Sequence, residues 1–498
     1  MIVIDGKEIR INRANVAISE IDEVYISLCQ NILDNGVETE NRTGVNTKAI
    51  AGWSHTFDIS KFFPIPETKL VVASNFSKEI QWIHQEQLND VSWLRERDNN
   101  IWDEWCIDSD GIWREYMPVQ KDEYGKPLNG NPEIEVPLMR QVLNHKDVAK
   151  KGDIKRQFVH DGFGKKINVR PDKESLERYI KKHGVMPTIK RATYFGEKYA
   201  NTIGEQYGFI NALYQQPQIV EYMLKNNPTD RRMMINLWQR AHFAKAVLPS
   251  CVFNILFTVI GDTLHASVIQ RSADVPAGLP FNIAQYALLV HQFAKAAGLK
   301  VGTLTWEIMN AHIYVDQEEP IRQQVRRYKY MKEYEKLILT STDETVERRY
   351  NSVKKKFELL NTKVFAGLAY LYSSSEQFKN RISEYTKGAD ILTEEIFNKI
   401  PMSKRYIILN IASKEFNLRL MENNSEYEEA FERKISFEHM LTRGNPKLEL
   451  EDHDSIFDYS TEYVKKGDSY LKENPIGNKE LVLKDYHPTP FIAVPVAQ

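Results

Sequence analysis

Apolar residues alternate or recur at helical spacing in the first hundred positions of the chain. Residues 1–20 alternate around Asp5-Gly6, which predicts a small β-hairpin. Residues 20–36 have helical spacing, and the predicted helix ends at Gly36. Residues 76–100 indicate a helix followed by a shorter polar helix. We therefore predict that residues 1–108 form the N-terminal part of a folded core.

The most regular pattern lies in residues 201–325, which we predict to be the central part of that core. A short helix is expected at 215–226, and residues 252–260 (VFNILFTVI) indicate a strand. Gly261-Asp262 is a turn signal, and TLHASVIQ then forms the return strand. A helix is predicted from Asn282 to Gly298, with Pro280 just before its start.

Two stretches interrupt the core pattern. Residues 109–200 are charged and broken by Gly and Pro, which predicts an insertion of loops and short elements rather than a second apolar core. Residues 326–445 are helical and charged, so they form either a solvated helical subdomain or a specific binding surface. Residues 446–498 again show a strand-like pattern of apolar residues. We predict that they form the C-terminal part of the core and end in a closing apolar tail. The expected fold is α/β (α+β), a mixed sheet flanked by helices.

Composition narrows the function classes. The chain has 498 residues, 42% of them hydrophobic, which suffices for a large core. The formal net charge of -2 argues against binding nucleic acid through bulk charge. Three cysteines without a CxxC pair fit a reducing, cytosolic compartment. We expect neither a signal peptide nor a membrane span, since no apolar run is long enough.

Cys251 is the first candidate for chemistry. It lies after Pro249 at the entry to a strand, where a lone cysteine is usually a buried core residue. The return strand of the hairpin carries Arg271 back towards it, and a cation near a thiol favours the nucleophilic thiolate. The sequence therefore leaves a structural and a catalytic interpretation open for Cys251.

Several motifs occur in an order that resembles the thymidylate synthase family. They are NRTG (41–44), TK (68–69), EIQW (79–82), IWDEW (101–105), YGFI (207–210), DRR (230–232), LPSC (248–251), QRSADV (270–275), GLPFNIAQYALLVH (278–291), NAHIY (310–314), SIFDY (455–459) and PVA (495–497). The resemblance covers roughly 20–110, 200–325 and 446–498, and leaves the two inserted blocks uncovered. It implies folate-dependent one-carbon transfer to C5 of dUMP, with 5,10-methylenetetrahydrofolate as cosubstrate and no metal.

The resemblance also implies roles for individual residues. Cys251 would be the nucleophile, Glu79 a proton shuttle and Tyr207 the group that organises a water near C5, while Asn282 would read the uracil edge. The further substrate-binding residues would be Arg42, Arg231, Arg232, Arg271, Ser272, Asp274, His312 and Tyr314. The folate-binding residues would be Trp102, Asp274, Gly278, Lys69 and Ala497. In this family the paired arginines come from the partner subunit, so Arg231 and Arg232 imply a homodimer.

Structural alternatives accompany these roles. Asn282 taken alone fits a helix N-cap, and Glu79 taken alone fits an exposed helix glutamate. The Arg231-Arg232 pair taken alone fits ordinary surface charge. As a base reader, Asn282 favours uracil over cytosine, since an Asp would suit the exocyclic amine of cytosine better.

Departures from the family pattern concern the product. Val252 replaces the usual His after the nucleophile, Pro-Ser precedes Cys251, and Asn310 replaces the usual Asp. The chain ends in Gln498, with Phe491 where a small residue is usual. These changes and the insertions resemble phage relatives that hydroxymethylate dUMP, so we favour 5-hydroxymethyl-dUMP in a host cytoplasm. Thymidylate synthesis and a catalytically silent nucleotide-binding scaffold remain alternatives.

Overall fold

The computed structural model describes residues 2–4, 7–11, 13–41, 43–120, 122, 126–132, 135–141, 160–168, 171, 173–418, 425–490, 492 and 494. The strands are β1 (Ile2–Ile4), β2 (Lys7–Ile9), β3 (Val37–Thr39), β4 (Thr47–Asp58), β5 (Ile112–Tyr116), β6 (Glu135–Gln141), β7 (His160–Asn168), β8 (Ile189–Tyr194), β9 (Met234–Asn236), β10 (Val252–Ile260), β11 (Thr263–Asp274), β12 (Lys300–Tyr314), β13 (Lys447–Leu450) and β14 (Leu481–Lys484). The α-helices are α1 (Glu20–Asn35), α2 (Ala73–His84), α3 (Ser92–Arg95), α4 (Lys173–His183), α5 (Gly208–Tyr214), α6 (Gln216–Asn226), α7 (Leu279–Ala296), α8 (Glu318–Thr340), α9 (Asp343–Ser374), α10 (Glu376–Arg381), α11 (Ser383–Thr386), α12 (Glu394–Lys399), α13 (Met402–Glu415) and α14 (Ser425–Thr442). Among the described residues, no helix is long and apolar enough to cross a bilayer.

The chain divides into two compact units. The helical unit comprises Met1–Ile18, Gln120–Leu128 and Arg326–Arg443. The sheet unit comprises Ser19–Val119, Asn129–Val325 and Gly444–Gln498.

A mixed six-stranded sheet forms the centre of the sheet unit. Its strand order is β3-β4-β12-β11-β10-β9. Strands β11 and β12 pair in parallel, and the other neighbours pair antiparallel. The predicted hairpin of β10 and β11 is present, and Gly261 at its turn has φ +65°, which a residue without Cβ adopts at low cost. The mixed sheet flanked by helices confirms the expected fold class.

Helix α7 packs beside this sheet and is buried on most of its surface, as its long apolar run requires. It begins at Leu279, three residues before the predicted start at Asn282. The prediction was wrong because Pro280 was placed outside the helix, whereas proline is tolerated in a first turn that has no intrahelical N–H partner. Gly278 therefore stands at the N-cap, and the interpretation of Asn282 as a helix cap is wrong.

The stretch 109–200 contains a second sheet, with strand order β5-β8-β6-β7. Tyr116, Tyr179, Ile189 and Ala192 form a small buried cluster there, so the expectation of no apolar core was wrong. Local Gly and Pro breaks conceal such a core, because its members come from segments far apart in sequence.

The helical unit has apolar cores of its own. One includes Val364, Leu368 and Phe397 from its long and short helices, and another includes Ile2, Tyr334 and Phe437. The predicted N-terminal hairpin, β1 with β2, belongs to this unit, although its turn residues Asp5 and Gly6 lie outside the described residues.

Candidate active site

The sheet hairpin brings the thiol of Cys251 to the guanidinium of Arg271. Cys251 precedes β10 and its carbonyl accepts a hydrogen bond from the backbone N–H of Arg271 on β11, at 2.9 Å. The Arg271 Nη2 lies 3.6 Å from the Cys251 Sγ and also donates to the Pro249 carbonyl at 2.7 Å. Cys251 is partly exposed, unlike the buried Cys29 and Cys106. Cys251 is therefore a partly exposed residue with a fixed cation beside its sulfur.

Tyr207 contacts both the backbone of Cys251 and the ring of Trp102, whose centroid lies 5.4 Å from its own. Its hydroxyl accepts a hydrogen bond from the Cys251 backbone N–H at 3.1 Å. Its backbone has φ 50°, a conformation uncommon for a residue with a side chain. The following Gly208 lies where a Cβ would stand 2.0 Å from the Leu88 carbonyl oxygen. The turn into α5 thus requires glycine after the tyrosine, and it presents the phenol to Cys251.

Glu79 is buried on α2, with 6% of its surface exposed. Trp102 Nε1 donates to its Oε1 at 2.7 Å, and Gln285 Nε2 donates to its Oε2. Burial raises the pKa of the Glu79 carboxyl to about 7, and those two donors act in the opposite direction. The interpretation of Glu79 as an exposed helix glutamate is wrong, and a buried acid titrating near neutrality suits proton transfer.

Asn282 lies one turn into α7 and uses both ends of its carboxamide. Its Oδ1 accepts from Gln270 Nε2 at 3.2 Å, and its Nδ2 donates to Gln285 Oε1 at 3.1 Å. Gln285 therefore links Asn282 to Glu79. Sequence reasoning did not single out Gln270 or Gln285; the available signal was the i, i+3 spacing of Asn282 and Gln285 on one helix face.

His312 and Tyr314 alternate on β12 and lie side by side, with ring centroids 5.1 Å apart. Burial lowers the pKa of His312 to about 4, so the ring is neutral near pH 7. Its Nδ1 lies 2.9 Å from Asn310 Oδ1. Ser272 pairs with Asn310 across the parallel strands, which brings the hydroxyl-bearing residue to the same edge of the sheet.

Asp274 ends β11 and is held by Gln317, whose Nε2 lies 3.0 and 3.2 Å from the two carboxylate oxygens. Burial raises the pKa of Asp274 to about 6. Gly278 follows at the start of α7. A Cβ at this position would lie 3.3 Å from the Asp274 carbonyl oxygen, which is a tight contact. Lys69 is buried and donates to the Pro276 carbonyl, and burial lowers the pKa of its ammonium to about 8.

Other predicted residues lie apart or outside the described residues. Arg231 and Arg232 are exposed after α6, and Arg232 pairs with Asp230 at 2.6 Å. Arg42 and Ala497 lie outside the described residues, as do the tail positions Phe491 and Gln498. One chain therefore brings Cys251 together with Arg271 and Tyr207 and links Asn282 to Glu79 through Gln285, whereas the paired arginines lie on the surface.

A partly exposed cysteine beside an arginine, together with a buried carboxyl and an amide held by hydrogen bonds at both ends, is an arrangement that can support nucleophilic catalysis. A sequence model of thymidylate synthase matches residues 23–366. A thymidylate synthase of Clostridium beijerinckii is 30% identical over 306 residues, which span 61% of this chain and 82% of that protein. The chain belongs to the thymidylate synthase family, whose members transfer one carbon to C5 of dUMP with methylenetetrahydrofolate as cosubstrate.

Proposed function

We propose that this chain uses Cys251 as the nucleophile in one-carbon transfer from methylenetetrahydrofolate to C5 of dUMP. The observation that supports the proposal most directly is the 3.6 Å approach of the Arg271 guanidinium to the Cys251 Sγ at a partly exposed position. The thiolate adds to C6 of uracil, and the electron pair moves to C5, which then forms a bond to the one-carbon unit.

The developing negative charge on O4 needs a donor, and Asn282 Nδ2 supplies one. The Asn282 Oδ1 accepts from N3–H of the same base edge. The C5 proton passes to a water organised by Tyr207. Glu79 acts as the proton shuttle for the pyrimidine ring. When the C6–S bond breaks, the thiolate of Cys251 is regenerated.

Nucleotide binding is proposed to use cations and hydroxyls. Arg271, Ser272 and Arg42 would hold the phosphate, since guanidinium groups match its geometry. His312 and Tyr314 would bind the sugar 3′-hydroxyl, which suits a neutral imidazole. Asp274 would orient the base and the folate from the end of β11.

The arginine pair supports a homodimer in this proposal. The partner subunit's Arg231 and Arg232 would complete the phosphate site. The outward face of the sheet carries exposed apolar side chains at Leu256 and Met309, which are 39% and 67% exposed. A second copy packed sheet to sheet would cover them.

Folate would bind against Trp102 and Gly278, with the indole as a stacking surface. Trp102 is anchored through its bond to Glu79, so its ring has a defined orientation. A direct contact of Lys69 with the folate tail fits the structure less well, because its ammonium is buried and donates to the Pro276 carbonyl. Ala497 remains a prediction for closure of the site. The proposed setting is a reducing cytosol, or the host cytoplasm for a phage-encoded chain.

The proposed product is 5-hydroxymethyl-dUMP. After tetrahydrofolate leaves, C5 carries an exocyclic methylene. The oxygen of a water bonds to that methylene carbon and the water releases a proton to solvent, while the electron pair re-forms the C5–C6 double bond as the thiolate of Cys251 leaves C6. Val252, buried beside the nucleophile, offers no polar group to the base-side water network, which distinguishes this site from the usual pattern with His. A second candidate, reduction of the methylene by hydride to give dTMP and dihydrofolate, is favoured by the relative's name and by the intact Trp102.

The product test uses purified enzyme, dUMP and methylenetetrahydrofolate, with Cys251→Ala as the control. Hydroxymethyl-dUMP is heavier than dTMP by the mass of one oxygen atom, which mass spectrometry resolves. Dihydrofolate is detected by its absorbance. Formation of dTMP with dihydrofolate would overturn the hydroxymethyl product. Wild type that binds dUMP but releases no tritium from C5 would instead support the silent-scaffold alternative.

A further inference from the structure

A continuous line of hydrogen bonds runs through the site from Trp306 to Glu79. Trp306 Nε1 donates to Gln270 Oε1 at 3.1 Å, and Gln270 Nε2 donates to Asn282 Oδ1 at 3.2 Å. Asn282 Nδ2 then donates to Gln285 Oε1 at 3.1 Å, and Gln285 Nε2 donates to Glu79 Oε2. Every bond in this line points in the same direction.

The two ends of the line determine the orientation of the three amides. An indole N–H can only donate, so the oxygen of Gln270 faces Trp306 and its NH₂ group faces Asn282. Above the pKa of Glu79, which burial raises to about 7, its carboxylate can only accept, so the NH₂ group of Gln285 faces Glu79 and its oxygen faces Asn282. The oxygen and nitrogen of an amide are hard to tell apart from shape, but here the partners assign them.

The orientation of Asn282 matters for the choice of base. With Nδ2 available to O4 and Oδ1 to N3–H, its carboxamide complements uracil. Rotated by half a turn, the same group would accept from the exocyclic amine of cytosine and donate to its unprotonated N3. An asparagine alone therefore complements either base, and its neighbours must select one orientation.

We propose that Gln285 is a specificity-determining residue, which transmits the acceptor character of Glu79 to Asn282 and so holds Asn282 in the orientation that complements uracil. Gln285 is 2% exposed and is placed three residues after Asn282, on the same face of α7. A rotated Asn282 would direct its oxygen at the oxygen of Gln285, and that mismatch disfavours cytosine. This inference rests on the proposed function, since it requires that Asn282 reads the base.

The test compares Gln285→Met and Gln285→Glu. Methionine keeps the length of the side chain but removes the acceptor that faces Asn282. Glutamate keeps an acceptor there and serves as the conservative variant. Gln292→Met is the matched control. Gln292 is also buried on α7, with 3% exposure, but it does not belong to the line of hydrogen bonds, so the same substitution there leaves that line intact.

Two ratios are measured for each protein: the dissociation constants of dUMP and dCMP by calorimetry, and kcat/KM for tritium release from C5 of each nucleotide. We expect Gln285→Met to lower the preference for dUMP about fivefold, the factor that corresponds to one net hydrogen bond. Gln285→Glu and Gln292→Met should keep the wild-type ratio, even where the rate falls.

The outcomes separate this inference from the function on which it rests. A wild type that neither binds dUMP nor releases its C5 tritium overturns the proposed function. A wild type that prefers dUMP, together with a Gln285→Met variant of unchanged preference, overturns the role of Gln285 alone. Equal losses in Gln285→Met and Gln292→Met would also refute it, because they would show a general effect on the helix.

Discussion

The buried carboxyl of Glu79 should destabilise the folded sheet unit at high pH. Its ordinary pKa of 4.5 is raised to about 7 in the folded protein, chiefly by burial. Between these values the folded protein binds more protons than the unfolded chain, so the free energy of unfolding falls as pH rises through this window. Below it both states are protonated, and the effect disappears.

The magnitude follows from the size of the shift. A shift from 4.5 to about 7 corresponds to a cost of about 3 kcal/mol once the group is fully ionised. Glu79→Gln removes that cost but places an NH₂ group against the NH₂ of Gln285, which loses about 1 kcal/mol at every pH. We therefore expect the variant to be more stable than wild type by about 2 kcal/mol near pH 9, and within about 1 kcal/mol of it near pH 5.

The assay is urea unfolding followed by tryptophan fluorescence at both pH values. All eight tryptophans lie in the sheet unit, so the signal reports on the unit that contains Glu79. Glu96→Gln is the control, because its side chain is 73% exposed and its substitution should show little dependence on pH. A stability difference between Glu79→Gln and wild type that is the same at both pH values would refute the argument. The variant should also be deficient in turnover.

Four further outcomes are expected. Cys251→Ala should bind dUMP but form no covalent adduct with 5-fluoro-dUMP, as read by mass spectrometry; an adduct would mean another nucleophile. Arg271→Lys loses the bonds to the loop before Cys251 and the bidentate geometry, so dUMP affinity should fall at least tenfold by calorimetry. Asn282→Asp should move the preference in tritium release from dUMP towards dCMP. Gly208→Ala should lower stability to urea by about 2 kcal/mol or more, since its Cβ meets the Leu88 carbonyl; an unchanged midpoint would contradict this.

The hydrogen-bond partners of the site could not be predicted from the sequence. Cys251, Arg271 and Asn282 could be named because their motifs stand in a recognisable order. Gln285 could not be named, because the role of a glutamine in an apolar helix cannot be assigned until its hydrogen-bond partners are known. Its hydrogen-bond partners are Asn282 on the same helix and Glu79 on α2, and Glu79 lies 206 positions earlier in the chain.

Local pattern determined the hairpin of β10 and β11, the helix after it and the mixed character of the fold, because apolar periodicity depends on which face of an element is buried. The start of α7 was missed by three residues, since Pro280 is compatible with a first helical turn as well as with the residue before it. The small core of 109–200 was missed because Tyr116 and Tyr179 meet only after the chain has folded.

The sequence by itself determined which chemistry is available: a thiol, an acid, an amide and cations in a family order. Only the tertiary structure decided their state. It buried Glu79, which raises its pKa towards neutrality, and it left Cys251 partly exposed beside Arg271. Burial and hydrogen-bond direction depend on groups brought together from distant segments, so the folded arrangement, rather than the residue types, sets the protonation of the acid and the orientation of Asn282.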